Sequence, residues 1–301
     1  MIIPFIKRQK RRIGRKFRII ARKDIRYLIG QRGILLPPEH YLPYYQQDFP
    51  FYDRYYLEFF KQYGSKSSGL CVIDIGANVG DTALSVLSAT QDAEVICIEG
   101  SPYFLKYLRL NTSPFSNIHI IDAFVTHGLG RWSLASDGST GHLVRIDDQG
   151  DAVSVGVRTV SPAFVLESAG KGHGPIVWKS DTDGYDIAIL LGAFDQIVAA
   201  CEVIWFEFDP IGNLSEPKDV TELLQRIGTL PRHVVVFDNL GHRLLNLPAI
   251  QAPSILEQLT AWLQIQKMSG NHPIRYFDIW LLPLDLADLL VRTTSMLPIH
   301  D

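Results

Sequence analysis

From Leu70 onward the chain alternates between two hydrophobic rhythms. Compact apolar runs rich in Val and Ile fall at residues 71–75, 94–99, 118–121, 176–181, 203–208, 233–237 and 276–282. Runs of this kind predict strands covered on both faces, as in a parallel sheet. Between them apolar residues return at helical spacing. Ile187, Leu190, Leu191, Phe194, Ile197 and Val198 share one face of a predicted helix, and Val220, Leu223, Leu224 and Ile227 share another. Helices are also predicted from Thr82 to Leu87, after the cap-and-proline pair Ser101-Pro102, and over 255–268. Strand, helix, strand in this order makes βαβ units. The fold expected is α/β, a doubly wound sheet of seven strands with helices on both faces and ligands at the carboxyl ends of its central strands.

Two stretches depart from that rhythm. Within 131–160, Trp132-Ser133-Leu134, Leu143-Val144-Arg145-Ile146 and Val153-Ser154-Val155 alternate like antiparallel ribbon strands, which predicts a small β insertion. Residues 33–69 are aromatic and punctuated by proline. There Tyr52, Tyr55, Tyr56, Phe59 and Phe60 fall at i, i+3, i+4, i+7 and i+8, so a helix is expected whose stripe covers a sheet face or lines a sugar pocket. Residues 64–69, Gly-Ser-Lys-Ser-Ser-Gly, read as the loop into the main domain. The chain thus divides into an arm (1–32), an aromatic lead-in (33–69) and a main domain (70–301).

The first strand runs into a sharp turn, Asp74-Ile75-Gly76-Ala77-Asn78-Val79-Gly80-Asp81-Thr82. Gly76 and Gly80 allow the backbone to turn tightly, and the helix that follows points free N–H groups at an anionic group. The second strand closes on Glu99, at the position where a carboxylate accepts hydrogen bonds from a ribose diol. Asn78 stands where a dinucleotide site needs its second glycine, and no P-loop run exists. Asp74, at the mouth, would repel a diphosphate and attract an amine or a sulfonium. An adenosine with a zwitterionic amino-acid tail fits these features, and S-adenosylmethionine is that molecule. A nicotinamide-dependent oxidoreductase fits worst.

Composition adds one feature. Apolar residues make up 47% of the chain and charged residues 20%, as in a folded protein with a sizeable core. Charge, however, is unevenly placed: residues 1–32 hold 12 of the 29 Lys and Arg against one acid, a net of +11, and the remainder carries −14. Ile13, Phe17, Ile20 and Ile25 are interspersed in the arm, so peripheral contact with an anionic membrane is expected of it. The acidic body and the absence of an aromatic-basic motif speak against nucleic acid. Three scattered cysteines, Cys71, Cys97 and Cys201, imply reduced thiols, and no apolar run approaches the ~18 residues of a membrane span. The start places apolar residues before basic ones, the wrong order for a secretory signal, so a cytoplasmic protein is expected.

Val72-Ile73-Asp74-Ile75-Gly76-Ala77-Asn78-Val79-Gly80, then Glu99, then Lys179-Ser180-Asp181-Thr182-Asp183-Gly184 resemble the signatures of the FkbM family of S-adenosylmethionine-dependent methyltransferases. The resemblance covers roughly residues 70–285. Asp183 replaces the glutamate of the family's K-x-D-x-E-G, and Val160-Ser161 stands where the family tends to show Leu-Asp. The resemblance implies a Rossmann-like methyltransferase sheet and methyl transfer to a hydroxyl, often of a sugar, polysaccharide or polyketide-type acceptor. On this basis the backbone of Gly76, Ala77, Asn78 and Gly80 holds the methionine carboxylate where Asp81 and Thr82 open the helix. Asp74 faces the methionine amine, and Glu99, flanked by Gly100 and Ser101, takes the ribose. Asp122 accepts from the adenine amino group, with Ala123 packed nearby.

A hydroxyl acceptor loses its proton during attack, and Asp181, ending the fourth strand, is the first candidate base. Lys179, on the same strand face, polarises the acceptor or pairs with Asp181. Asp181 and Asp183 are too few for a hard-cation site, and no spacing signals zinc, so no metal is expected. Glu207 and Asp209 end the next strand near the cleft or cap a loop. His127, His142 and His173 lie in loops or the insertion, and His119 lies within a strand. The expected acceptor is a glycan or lipid-linked sugar. An RNA or protein acceptor, or a non-catalytic cofactor-binding scaffold, are the alternatives.

Overall fold

The computed structural model describes residues 18–65, 67–126, 132–136, 141–145, 157–170, 174–212, 217–270 and 273–295. It opens with an antiparallel hairpin, β1 (Ile25–Ile29) and β2 (Arg32–Leu36), then helices α1 (Leu42–Asp48) and α2 (Tyr55–Gly64). The main domain continues through β3 (Cys71–Ile75), α3 (Asp81–Ala89), β4 (Glu94–Glu99), α4 (Pro102–Thr112) and β5 (Ile118–Asp122). Next come the short β6 (Phe124–Val125), the insertion strands β7 (Trp132–Ser136) and β8 (Gly141–Arg145), and β9 (Thr159–Val160). The second half holds α5 (Pro162–Ser168), β10 (Ile176–Ser180), α6 (Asp186–Gly192), α7 (Phe194–Ala200), β11 (Val203–Phe208) and α8 (Pro217–Gly228). It ends with β12 (His233–Asp238), β13 (Arg243–Pro248), α9 (Ala252–Met268), β14 (Phe277–Leu282) and α10 (Leu284–Ser295).

All seven predicted main strands pair in one sheet, in the order β13-β12-β14-β11-β10-β3-β4-β5. From β5 to β11 the neighbours are parallel, and β14 is inserted antiparallel between β11 and β12. After β3 the chain winds outward to β5, then returns to β10 on β3's other side. That reversal opens a crevice at the carboxyl ends of β3 and β10, where a doubly wound sheet places its ligand.

An eighth strand, β13, was not anticipated. It follows a tight turn at Gly241 (φ +88°) and pairs with β12 through a register shift at Val236/Phe237. As an edge strand it buries only Leu247, so no apolar run announces it. The helix expected across 187–198 is two helices, broken at Ala193 (φ −148°, ψ 33°), although both halves bury the predicted face. β7 and β8 pair antiparallel as the alternation predicted, whereas Val153-Ser154-Val155 lies outside the described residues.

The expected division at residue 32 falls inside the first hairpin, because β2 begins at Arg32. Ile29, Ile34 and Leu36 pack with Leu42, Val79, Leu84, Phe104 and Tyr107 in one core cluster. Asn111 fixes this join: its Nδ2 donates to the carbonyls of Leu35 (2.9 Å) and Val79 (2.8 Å), and its Oδ1 accepts from Leu35 N–H (2.8 Å). Ile25 belongs to the hairpin, Ile20 is exposed, and Ile13 and Phe17 lie outside the described residues. Among the described residues no helix is long and apolar enough to cross a membrane.

The aromatic stripe is core. Tyr55, Tyr56, Phe59 and Phe60 are buried against the sheet, where Tyr55 stacks on Phe237 (4.1 Å between centroids) and Trp205 on Trp280 (4.7 Å). Each such ring removed from water contributes about 1.5–3 kcal/mol. That burial fastens the lead-in across one sheet face and sets α1 over the crevice. Tyr52 precedes the helix and faces the crevice instead.

Candidate active site

Two loops meet at the crevice. Gly76 turns at φ +78°, and a Cβ there would lie 1.9 Å from the Asp181 carbonyl oxygen, so only glycine lets the β3 turn close against the end of β10. Asn78 holds a left-handed φ of +48°, which asparagine tolerates, and Gly80 (φ +89°) opens α3.

The amides of this turn do not face a ligand, contrary to expectation. Gly76 and Ala77 N–H both donate to the Ile98 carbonyl (3.0 Å each), Asn78 N–H donates to Glu99 Oε2 (2.8 Å) and Gly80 N–H to the Ala77 carbonyl (2.8 Å). They knit β3 to β4. The amides that helix geometry leaves over are those of Asp81, Thr82 and Ala83, because the first helical bond runs from Leu84 N–H to the Gly80 carbonyl.

Glu99 is buried at the end of β4 and held by two bonds. Oε2 accepts from Asn78, and Oε1 accepts from Ser101 N–H at 2.7 Å. Burial pushes its carboxyl up to about 7 against the lowering effect of those bonds. Its remaining lone pairs can accept two further hydroxyls. Ser101 is buried before α4, but its side chain makes no capping bond; its amide serves Glu99 instead.

Around Glu99 lies a narrow lobe of about 60 Å³, walled by Ile98, Gly100, Phe104, Ala123, Phe124 and Val125 and reaching Tyr185. Asp122 is not part of this wall. It ends the edge strand and is drawn 2.8 Å from Arg109 of α4, about half exposed, so the position expected to meet an adenine amine is a surface ion pair.

Asp74 is also not in the cleft. It is fully buried beneath it, in register with Lys179 on the neighbouring strand, with Nζ 2.9 Å from Oδ1. Lys179 Nζ lies 3.6 Å from Asp181 as well. Burial by itself would lower Lys179, but Asp74 and Asp181 outweigh it and raise the ammonium above its ordinary range. Burial pushes Asp74 upward while Lys179 pulls it down, so the two partners point in opposite senses. We take the pair as ionised, since a neutral pair would forfeit the charge-assisted contact at 2.9 Å.

A second lobe, of about 620 Å³, shares Gly76, Asn78, Asp181 and Asp183 with the first. Its walls come from distant segments: His40, Tyr41, Tyr45 and Tyr52 from the lead-in, Asp81 and Thr82 from α3, Glu207 from β11, and Arg275 and Tyr276 before β14. The loop between them is fixed by buried Asp186, which accepts from Thr182 N–H (3.1 Å) and Oγ1 (3.0 Å); burial raises its carboxyl to about 6.

Sequence reasoning passed over His40 and Asp278. His40 Nε2 lies 3.4 Å from Asn78 Oδ1, and its Nδ1 accepts from Leu42 N–H (3.3 Å). Burial lowers its pKa, which keeps the ring neutral. No motif spacing marks this histidine. Asp278 stands directly across from Glu207 in the β11–β14 ladder and accepts from Tyr55 Oη (3.1 Å). Burial, then the charge of Asp181, raises Asp278 to about 8 and Glu207 well above the carboxylate range. Asp209, by contrast, caps its own loop through Ile211 and Gly212 N–H. His119 is exposed on β5; His127 and His173 lie outside the described residues, and His142 lies in β8. Among the described residues no group of three or more His, Cys, Asp or Glu is arranged to hold a metal ion.

No family model matches the chain, and no curated protein matches it. Solved structures do. An O-methyltransferase from Bacillus cereus in complex with SAH is 12% identical with a TM-score of 0.40, covering 80% of this chain and 88% of that one. TomG, an O-methyltransferase from Streptomyces achromogenes involved in tomaymycin synthesis and solved with SAM, is 9% identical with a TM-score of 0.42, covering 79% and 86%. An rRNA methylase from Streptococcus thermophilus is 11% identical with a TM-score of 0.40, covering 76% and 94%. Likeness at this level concerns the fold alone, and the Rossmann-like assignment rests on the strand order described above.

Proposed function

We propose that the chain is an S-adenosylmethionine-dependent methyltransferase of the FkbM type, acting on a hydroxyl of a sugar-containing acceptor. One observation carries this: a narrow lobe around Glu99 and a wide lobe share a floor at Gly76, Asn78, Asp181 and Asp183. A nucleoside-bearing donor in the first and an acceptor in the second would meet beside Asp181.

The narrow lobe suits an adenosine. Glu99 offers a fixed carboxylate to ribose hydroxyls, and Ile98, Phe104, Phe124 and Val125 offer apolar walls to a purine. Asp181 and Asp183 face the end where the sulfonium and ammonium of the zwitterionic tail would lie. When bound, S-adenosylmethionine supplies an electrophilic methyl group. Asp181, half exposed on the shared floor, accepts the hydroxyl proton, and Lys179 holds its charge in place from below. Most of the rate enhancement then comes from alignment between the lobes.

Three aspartates, Asp81, Asp181 and Asp183, line the wide lobe with Glu207, whose carboxyl burial pushes upward, against Arg275 and the already paired Lys179. That balance favours a sugar over an RNA, whose phosphates it would repel. We further assign the basic stretch ahead of the hairpin, residues 1–24 with 10 Lys and Arg against one Asp for a net of +9, to contact with an anionic membrane surface.

Calorimetric titration with S-adenosylmethionine and S-adenosylhomocysteine tests the proposal. Saturable binding by the wild type, lost in Glu99→Ala, is expected; absence of binding by the wild type overturns it. Binding without methyl transfer to any cell glycan would turn the enzyme into a cofactor-binding scaffold.

A further inference from the structure

One wall of the wide lobe is built from outside the sheet. Tyr41, at the start of α1, Tyr45 within it and Tyr52 beyond it form a ladder of rings, 5.9 Å from Tyr41 to Tyr45 and 5.1 Å from Tyr45 to Tyr52. The second pair is stacked, with 24° between the planes, which fixes the Tyr45 ring from behind. Tyr55 and Tyr56 keep only 2% of their surface exposed, whereas Tyr41 and Tyr45 keep 39% and 38%. A single exposed aromatic is ordinary, but two rings in contact on a cavity wall, tilted 41° to each other and braced by a third, make an aromatic surface with no core to fill.

The same lobe is lined by oxygen acceptors: Asp181 and Asp183 on the shared floor and Glu207 on β11. A ligand that meets both surfaces has one flat apolar side and a rim of hydroxyl donors. A pyranose ring has that shape, with C–H groups on its face and hydroxyls at its edge. The alternatives each leave a wall unsatisfied. A nucleobase would stack on the tyrosines, yet its phosphates would meet carboxylates. A phenolic ring would stack too, but its one or two hydroxyls on a single edge offer fewer donors to the carboxyl groups than the hydroxyl rim of a pyranose. A uronate brings a like charge to the same floor. At about 620 Å³ the lobe falls within the roughly 300–1,000 Å³ of small-molecule sites.

We infer that Tyr41 and Tyr45 form a stacking platform for an uncharged pyranose residue of the acceptor, with Asp183 and Glu207 taking its hydroxyls. This rests on the methyltransferase reading for the identity of the neighbouring lobe, and it adds the charge state and ring type of the acceptor and the wall that binds it.

Saturation-transfer NMR on the full chain, loaded with S-adenosylhomocysteine, provides the test. The probes are methyl glycosides of neutral hexoses, the corresponding uronates, catechol and a short oligoribonucleotide. Neutral glycosides are expected to receive saturation, strongest at their ring C–H protons. Tyr45→Ala and Tyr41→Ala are expected to weaken glycoside binding about tenfold, while Tyr45→Phe, which keeps the ring, stays within about twofold. All three should bind S-adenosylhomocysteine as the wild type does, which shows that they are folded. Preference for a uronate, catechol or the oligoribonucleotide overturns the inference, as does unchanged glycoside affinity in Tyr45→Ala. Failure of every probe to bind the loaded protein also overturns it and leaves the donor site standing. Failure of S-adenosylhomocysteine to bind at all strikes the methyltransferase reading instead.

Discussion

The two lobes of the cleft are built in different ways. The narrow lobe takes its walls mainly from three successive strand ends, β3, β4 and β5, between Gly76 and Val125. Its shape follows from local rules: glycines at positive φ, a buried carboxylate bonded to two nearby amides, and helices beginning after β3 and β4. The wide lobe gathers His40 and Tyr45 from the lead-in, Glu207 from β11 and Arg275 from before β14. These three segments lie far apart in the chain. A lobe made of neighbours on one sheet binds what a family of folds binds; a lobe made of distant pieces is free to specialise.

The floor common to both lobes is the place to break this division most severely. Asp74→Ala leaves the Lys179 ammonium buried with Asp181 as its remaining carboxylate, so a loss of about 3–5 kcal/mol in urea unfolding is expected. The double variant Asp74→Leu, Lys179→Met should recover most of it. Wild-type stability in the single variant would show that the pair does not hold the floor.

Asp181→Asn separates the lobes. Turnover on a methylated acceptor should fall about 10²- to 10⁴-fold, with cofactor affinity within about twofold of wild type. A variant that turns over normally removes Asp181 as the base.

Glu99→Gln acts on the narrow lobe alone. Replacing a charged acceptor should weaken S-adenosylmethionine about ten- to a hundredfold and leave glycoside affinity in the wide lobe untouched. The same residue sets a pH signature. Its folded value, pushed up to about 7, lies above the ordinary 4.5. The stability linked to its protonation is therefore complete below about pH 4.5 and is lost as the pH rises through about 7. Cofactor affinity moves in the opposite sense, because ribose hydroxyls favour the carboxylate. It should weaken by about tenfold per unit below about pH 7, and Glu99→Gln should flatten that slope in calorimetry across the same range.

The smallest effect is expected at Asn111→Ala. That change removes three bonds joining α4 to the first hairpin and to the turn after β3 and should cost about 1–3 kcal/mol in thermal unfolding. Tyr45 ring contacts, and hence glycoside affinity, should hardly change.

Much of the narrow lobe was legible in the chain. Gly76, Gly80 and Glu99 stand where the spacing placed them, because a strand-to-helix turn and an acid at the next strand end are local facts. Roles were harder to read than positions. The amides of Gly76 and Ala77 looked free for a ligand, yet the Ile98 carbonyl, on another strand, takes both. Asp74 looked like a mouth residue until β10 set Lys179 against it in register, and Asp122 until α4 brought Arg109 to it. In each case the competing partner comes from a segment whose approach periodicity does not encode. His40 and Arg275 carried no signal, since a lone histidine or arginine in a loop has no pattern.

By itself the sequence determined the α/β alternation, the seven main strands, the buried aromatic helix and the strand-to-helix turn after β3. All of these follow from side-chain period, backbone freedom at glycine and apolar burial, which are properties of short stretches. Only the tertiary structure decided which carboxylates are left for chemistry. Pairing with a neighbouring strand consumed Asp74 and pairing with a helix consumed Asp122, loop closure consumed Asp209 and Asp186, and the folding of the lead-in over the sheet brought a wall of tyrosines into one lobe with Asp181, Asp183 and Glu207. Charge and hydrogen bonding act between whatever groups the fold brings within a few ångströms, and chain distance does not reveal which those are.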